Sequence, residues 1–173
     1  MTGILGGNPK DEPMHYGEIF TLWETSMAAK GALSGYRAHM YHAGDSDLKK
    51  ILAAIIDQAE LEISECDSLL AEQGIAAAPA LPNRPEARLE DIPVGARFTD
   101  PEIAAMVAAT LAVGLVACSQ AMGMSIREDI GALFAKYHLT KAAIGVKNLH
   151  LLKKKGWLVP PPLLVKRPEP VHA

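Results

Sequence analysis

Residues 103–126 read IAAMVAATLAVGLVACSQAMGMSI, 24 residues without a charge, with Glu102 directly before the run and Arg127 directly after it. As a helix this run extends about 36 Å. That length suits a membrane span or the central helix of a well-packed bundle, and the choice fixes the fold class. The flanks decide it. The run opens on Thr99-Asp100-Pro101-Glu102, a soluble helix start with Asp100 predicted as N-cap and Pro101 at the first helical position. Arg97 is the nearest upstream cation, and neither end carries a Lys/Arg cluster or a Trp/Tyr belt. Thr110, Ser119 and Gln120 interrupt the apolar pattern. The segment reads as a buried core helix of a soluble bundle, with no membrane span.

Upstream, the pattern predicts a helix over 15–43 that stops at Gly44 as its C′ residue. A second helix, 46–73, follows with Asp45 as N-cap and ends before Gly74. So short a connection makes the two antiparallel neighbours. Residues 74–99 carry Pro79, Pro82, Pro85 and Pro93, too many for a helix interior, and form a long crossover. Downstream, one helix from 101 to 155 would be about 80 Å long, more than a domain of this size spans. The chain therefore turns after Gly123, where Ser125 and Glu128 have capping-box spacing. This gives helices at 101–123 and 126–155, the last closing on Lys153-Lys154-Lys155-Gly156. Residues 156–173 hold five prolines and read as an extended tail packing through Trp157, Leu158 and Leu163. The chain is all-α and a single domain, 1–173. Two helical hairpins joined by a long Pro-rich crossover are the connectivity of a ferritin-like four-helix bundle.

Composition narrows the function classes. A net charge of −3 with interspersed charges leaves no footprint for nucleic acid, and 5% aromatics make no base-stacking platform. Cys66 and Cys118 sit in apolar helical stretches and read as reduced core residues, which fits a cytoplasmic protein. The first residues, Met-Thr-Gly-Ile-Leu-Gly-Gly, show neither a basic nor a long apolar secretory region.

Four stretches, in order, resemble the domain-of-unknown-function 3231 family. They are His15-Tyr16-Gly17-Glu18, then Ile92-Pro93-Val94-Gly95-Ala96-Arg97-Phe98-Thr99-Asp100, then Ser125-Ile126-Arg127-Glu128-Asp129, and finally Lys155-Gly156-Trp157-Leu158 with Pro160-Pro161-Pro162. The resemblance covers about residues 14–163. It implies ferritin-like helical proteins, some labelled putative spore coat proteins, and a spore association. It supplies no catalytic residues.

Such a fold raises the question of a di-metal centre, which needs two Glu-x-x-His motifs and a Glu on each of the other helices. Of the histidines at 15, 39, 42, 138, 150 and 172, only His15 and His172 have Glu three residues before them. Those glutamates, Glu12 and Glu169, lie outside the four helices, and a proline separates each from its histidine. The third helix has no carboxylate between Glu102 and Glu128. His39 and His42 share a helical face and are the weak candidates for a metal, without a defined third ligand. His15 and Glu18 read as a first-turn pair.

Charges on the apolar stripes are the stronger signal. On the second helix Leu48, Leu52, Ile55, Ala59, Cys66 and Leu70 define a face that includes Glu62. On the fourth, Ile130, Leu133, Phe134, Tyr137, Ile144 and Leu152 define one that includes Lys141. The first helix sets Lys30 and Arg37 beside Trp23, Met27 and Tyr41. Buried charges must pair, so Glu62, Lys141 and Lys30 form a candidate buried polar cluster. Gly31 and Gly35 have the spacing of a close helix approach.

No nucleotide loop, Cys-x-x-Cys or nucleophile elbow is present. The sequence thus predicts a non-enzymatic bundle, a spore-coat-like structural or assembly component without a cofactor. The alternative is a ferritin-like metal-binding protein or oxidoreductase with a non-standard ligand set. A homodimer or other homo-oligomer is the expected assembly, with coat or other proteins as further partners.

Overall fold

His15 starts the first helix with an extended backbone: its Nδ1 accepts the Gly17 N–H at 3.0 Å, and Glu18 Oε2 accepts the His15 N–H at 3.1 Å. This reciprocal box satisfies donors that the first helical turn would leave orphaned. From it, α1 runs Tyr16–His42, followed by α2 (Ser46–Glu72), α3 (Asp100–Met124) and α4 (Glu128–Lys155). The computed structural model describes residues 8–164, and among these there is no strand. The N-terminal 1–7, and the part of the tail over 165–173 with His172, lie outside the described residues.

The arrangement is a four-helix bundle of two hairpins, α1–α2 and α3–α4, joined by the crossover. The hairpins meet mainly through α2 against α4, and α1 touches α3 more lightly. Apolar packing falls into two halves. At one end Leu48, Leu52, Ile103, Val107, Ile144 and Leu152 pack together. At the other, Leu22, Cys66, Leu70, Ile130, Phe134 and Tyr137 do so, with the Phe134 and Tyr137 rings edge to face at 5.8 Å.

Helix ends depart from the sequence reading in instructive ways. Thr99, not Asp100, is the N-cap of α3, its N–H donating to Glu102 Oε2 at 2.7 Å. Asp100 instead reaches across the bundle, and its two oxygens accept the N–H groups of Gly44 (2.8 Å) and Asp45 (3.0 Å) in the α1–α2 turn. Gly44 is consequently not a left-handed C′ residue; α1 ends on extended Ala43. Ser125 does not box with Glu128 either. Arg127 is the N-cap of α4, and the Ser125 hydroxyl donates back to the Ala121 carbonyl at 2.8 Å. Gly74 and Gly156 do take positive φ, +69° and +70°, where glycine closes α2 and α4 without a Cβ clash. Past Gly156, Trp157 and Leu158 pack on the core, but Leu163 is 70% exposed and anchors nothing.

The uncharged helix itself is less buried than a core helix should be. Only Ile103, Ala104, Val107, Leu111, Cys118 and Ala121 are buried, while Val113 is 70% and Val116 68% exposed. It is the one helix among the described residues long and apolar enough to cross a membrane, yet only 28% of its most apolar stretch is inside the fold. The cause is geometric: α3 has close neighbours on the α4 side and little against α1.

Candidate functional site

Between the two apolar halves lies a polar layer. Gln58 and Glu62 are one turn apart on α2, and Gln58 Nε2 donates to Glu62 Oε1 at 2.7 Å. Lys141 of α4 donates its ammonium to the same carboxylate oxygen. Both charged side chains are largely withdrawn from solvent, at 6% exposure for Glu62 and 15% for Lys141. The lysine stem reaches the carboxylate by crossing Gly114 of α3, where an added Cβ would lie 2.8 Å from Lys141 Cε. The Lys141 ammonium also lies 6.0 Å from the Tyr137 ring centroid, on the electron-rich π system.

A cavity of roughly 180 Å³ opens over this layer between α1 and α3, lined by Ala28, Ala32, Thr110 and Ala117 with Glu62 and Lys141 among its walls. Tyr36 borders it, and burial pushes its phenol up to about 12, so it stays protonated. Burial likewise pushes the Cys66 thiol up to about 12 and raises that of Cys118. Neither is an available thiolate nucleophile.

Lys30, grouped with Glu62 and Lys141 by periodicity, belongs to a separate knot. Its ammonium donates to Asp67 Oδ2 (2.7 Å) and to the Ala78 carbonyl (2.6 Å), while the Ser26 hydroxyl donates to the other oxygen of Asp67. One lysine thereby ties α1, α2 and the start of the crossover together. Arg37 lies at the surface, paired with Glu60 at 2.8 Å.

His39 and His42 do not converge on a ligand. Both rings stand edge-on to Phe98 at 5.4 Å, and His42 Nδ1 accepts the Phe98 N–H at 3.1 Å. Burial, helped by the neighbouring His42, lowers the pKa of His39. Among the described residues no three His, Cys, Asp or Glu are grouped to hold a metal. The donor set in the middle of the bundle does not fit one: each inward carboxylate, Glu62 and Asp67, already has an ammonium on it.

His15 and Glu18 sit at the far end of the bundle. Besides boxing with His15, the buried Glu18 accepts the Ile126 and Arg127 N–H groups through Oε1, each at 2.9 Å. His15 Nε2 lies 3.1 Å from the Met124 carbonyl. Arg127 forks onto Asp129 at 2.7 and 3.0 Å and also donates to the Glu12 carbonyl at 3.1 Å. The guanidinium holds the Asp129 carboxyl below the usual range.

Sequence reasoning passed over three polar residues. Gln58 stands four before Glu62, the spacing at which helix neighbours touch. Asn148 falls on the Ile144–Leu152 stripe, is buried, and donates to the Ala104 carbonyl at 3.0 Å. Asp67 gave no signal, because it stands off the apolar stripe of α2 and its partners, Ser26 and Lys30, are brought to it by α1.

Comparison with known proteins converges on one group. The chain is 53% identical over 165 residues to the uncharacterized protein YvdQ of Bacillus subtilis (strain 168), covering 95% of this chain and 97% of that protein. It is similar in fold to a putative spore coat protein from Bacillus halodurans C-125, known from a crystal structure at 1.54 Å. The TM-score is 0.89 at 48% identity, over 92% of this chain and all of the other. Residues 2–169 match the family described as Protein of unknown function (DUF3231), to which the chain belongs.

Proposed function

We propose that this protein is a non-catalytic structural or assembly component of the spore-coat kind. One observation carries the reading: the four sequence stretches that mark the family all lie at bundle joints. His15–Glu18 and Ser125–Asp129 interlock at one end. At the other end Asp100 closes on the first hairpin's turn, and Lys155 bonds Asp45. Residues that fasten ends give a rigid block, the property an assembly component needs. The central ionisable groups support the same view, since each inward charge is neutralised by another side chain. The spore-coat label of the Bacillus halodurans relative supplies the setting. Here the protein would be made in the cytoplasm and incorporated with coat or other protein partners.

The test is fractionation of a sporulating Bacillus host expressing a tagged copy. Enrichment of the tagged protein in the extracted coat layer is expected. Retention in the soluble cytoplasm, with none in purified spores, would sink the coat assignment. Elemental analysis of protein purified without chelator addresses the ferritin-like metal-binding or oxidoreductase alternative. Stoichiometric iron, manganese or zinc would replace the structural reading with that one.

A further inference from the structure

The charges of this bundle are unevenly placed. The outer surfaces of α2 and α4 carry exposed Lys49, Lys50, Glu60, Lys136 and Lys147. The outer surface of α3 carries none between Glu102 and Arg127. It exposes Ala105, Ala109, Ala112, Val113, Val116 and Ala117, an uncharged and mainly apolar face at helical spacing, with Thr110, Ser119 and Gln120 as its exposed polar residues. Across the cavity, α1 exposes Tyr16 (91%), Phe20 (61%) and Met27 (45%), with Ala28 and Gly31 beside them and Glu24 as the single exposed charge of that stripe.

We infer that this α1/α3 face is the surface on which a second copy of the chain docks, forming a two-fold homodimer that closes the cavity above Glu62 and Lys141. Three observations favour a copy of the chain as the occupant. First, a two-fold contact brings equivalent residues of the two copies into one patch, so the face best suited to self-pairing is the one nearly free of charge. The α2 and α4 surfaces fail that condition and the α1/α3 face meets it. Second, the size is right. Two adjacent helices about 36 Å long and together about 20 Å wide offer on the order of 700 Å². A stable interface takes about 800 Å² per partner.

The third observation is the glycines. Gly31 and Gly35 lie inside α1, where glycine is the poorer helix former. Among the described residues, nothing beyond the helix's own nearby backbone stands within 4 Å of where their Cβ atoms would be. The close helix approach their spacing predicts is therefore not made among the described residues of one copy. A neighbouring copy's helix can make it. Large isolated apolar patches on monomers commonly mark such contacts.

This inference deepens the assembly reading by naming the first partner, and the two can fail separately. Light scattering and sedimentation of the full chain, without detergent, measure the mass across a hundredfold concentration range. A particle of twice the 18.5 kDa chain mass is expected. The double variant Val113→Glu with Val116→Glu is expected to sediment as a monomer with an unchanged helical circular dichroism spectrum, its dimer dissociation constant raised at least about a hundredfold. A Leu139→Glu control, on 70%-exposed α4 surface, should remain dimeric. A monomeric wild type at all concentrations would overturn the inference. Equal masses for wild type and the Val113/Val116 variant would do so too. Wild-type protein that floats with phosphatidylcholine vesicles through the same face would assign it to a membrane instead. A monomer that still enters spore coats would refute the interface and leave the coat role standing.

Discussion

Glu18 and Asp100 hold equivalent posts at opposite ends of the bundle. Each stands in the first turn of the leading helix of one hairpin, and each accepts two backbone N–H groups from the turn of the other hairpin. The donors are Ile126 and Arg127 for Glu18, and Gly44 and Asp45 for Asp100. The hairpins are thus locked reciprocally, by carboxylates placed where helix N-termini favour negative charge.

The two locks should not be equal in strength. Glu18 is 2% exposed and serves three N–H donors, counting His15. Asp100 is only half-buried, so water can replace it. Glu18→Ala is expected to lower unfolding free energy by about 3 kcal/mol or more, and Asp100→Ala by about 1 kcal/mol, since buried donors left unpaired cost more than exposed ones. Urea denaturation of both variants checks the order; equal losses would contradict it.

The Glu62–Lys141 pair carries a second prediction. Removing one member strands the other in a partly dry layer, so Glu62→Gln or Lys141→Met alone should cost about 3 kcal/mol. The double variant should recover much of that loss. A double-mutant cycle that gave simply additive effects would show that the two residues do not act as a pair.

What could be read from sequence and what could not divides along the range of the forces involved. Helix positions and the inward stripes follow from periodicity, because burial of Leu48, Leu52, Phe134 and Ile144 depends only on spacing along one helix. The meeting of Glu62 with Lys141 was foreseeable from the same pattern, both being charges on apolar stripes. The ends were not. A capping rule assigns Asp100 and Ser125 to their own helices, because it knows only local neighbours. In the folded protein a more distant demand wins at both starts. Asp100 accepts the N–H groups of the other hairpin's turn. Ahead of α4 the N–H groups of Ile126 and Arg127 are taken by Glu18, which leaves Ser125 to bond back to Ala121. Lys30 was misgrouped for the same reason, since its partners Asp67 and Ala78 are brought to it by α2 and the crossover.

His39 sets a pH dependence. Its folded pKa lies below the ordinary 6.5, mainly through burial, so the unfolded chain binds this proton more readily than the folded one. The stabilising contribution is therefore complete above about pH 6.5 and is lost as the pH falls from there through the depressed native value. Asp129, held low by Arg127, acts in a separate window: its contribution persists until the pH falls below about 4. Denaturation midpoints should decline between pH 7 and 5.5, and His39→Gln should flatten that decline. An unchanged slope in the variant would assign the effect to another group.

Gly114 offers the sharpest test of how the central pair is seated. In an ordinary helix interior, glycine to alanine stabilises by roughly 1 kcal/mol. Here the new methyl would lie 2.8 Å from Lys141 Cε and 3.1 Å from its Cδ, on a side chain held at its tip by Glu62. The lysine can yield only by loosening that bond. Gly114→Ala should accordingly destabilise the wild-type protein by about 1 kcal/mol, a typical cost of overpacking. Introduced into Lys141→Ala, where the stem is gone, the same change should stabilise by roughly the usual helix increment. Thermal melts of the four proteins read the reversal directly. If Gly114→Ala raises the melting temperature equally in both backgrounds, the lysine does not depend on that glycine for its path to Glu62.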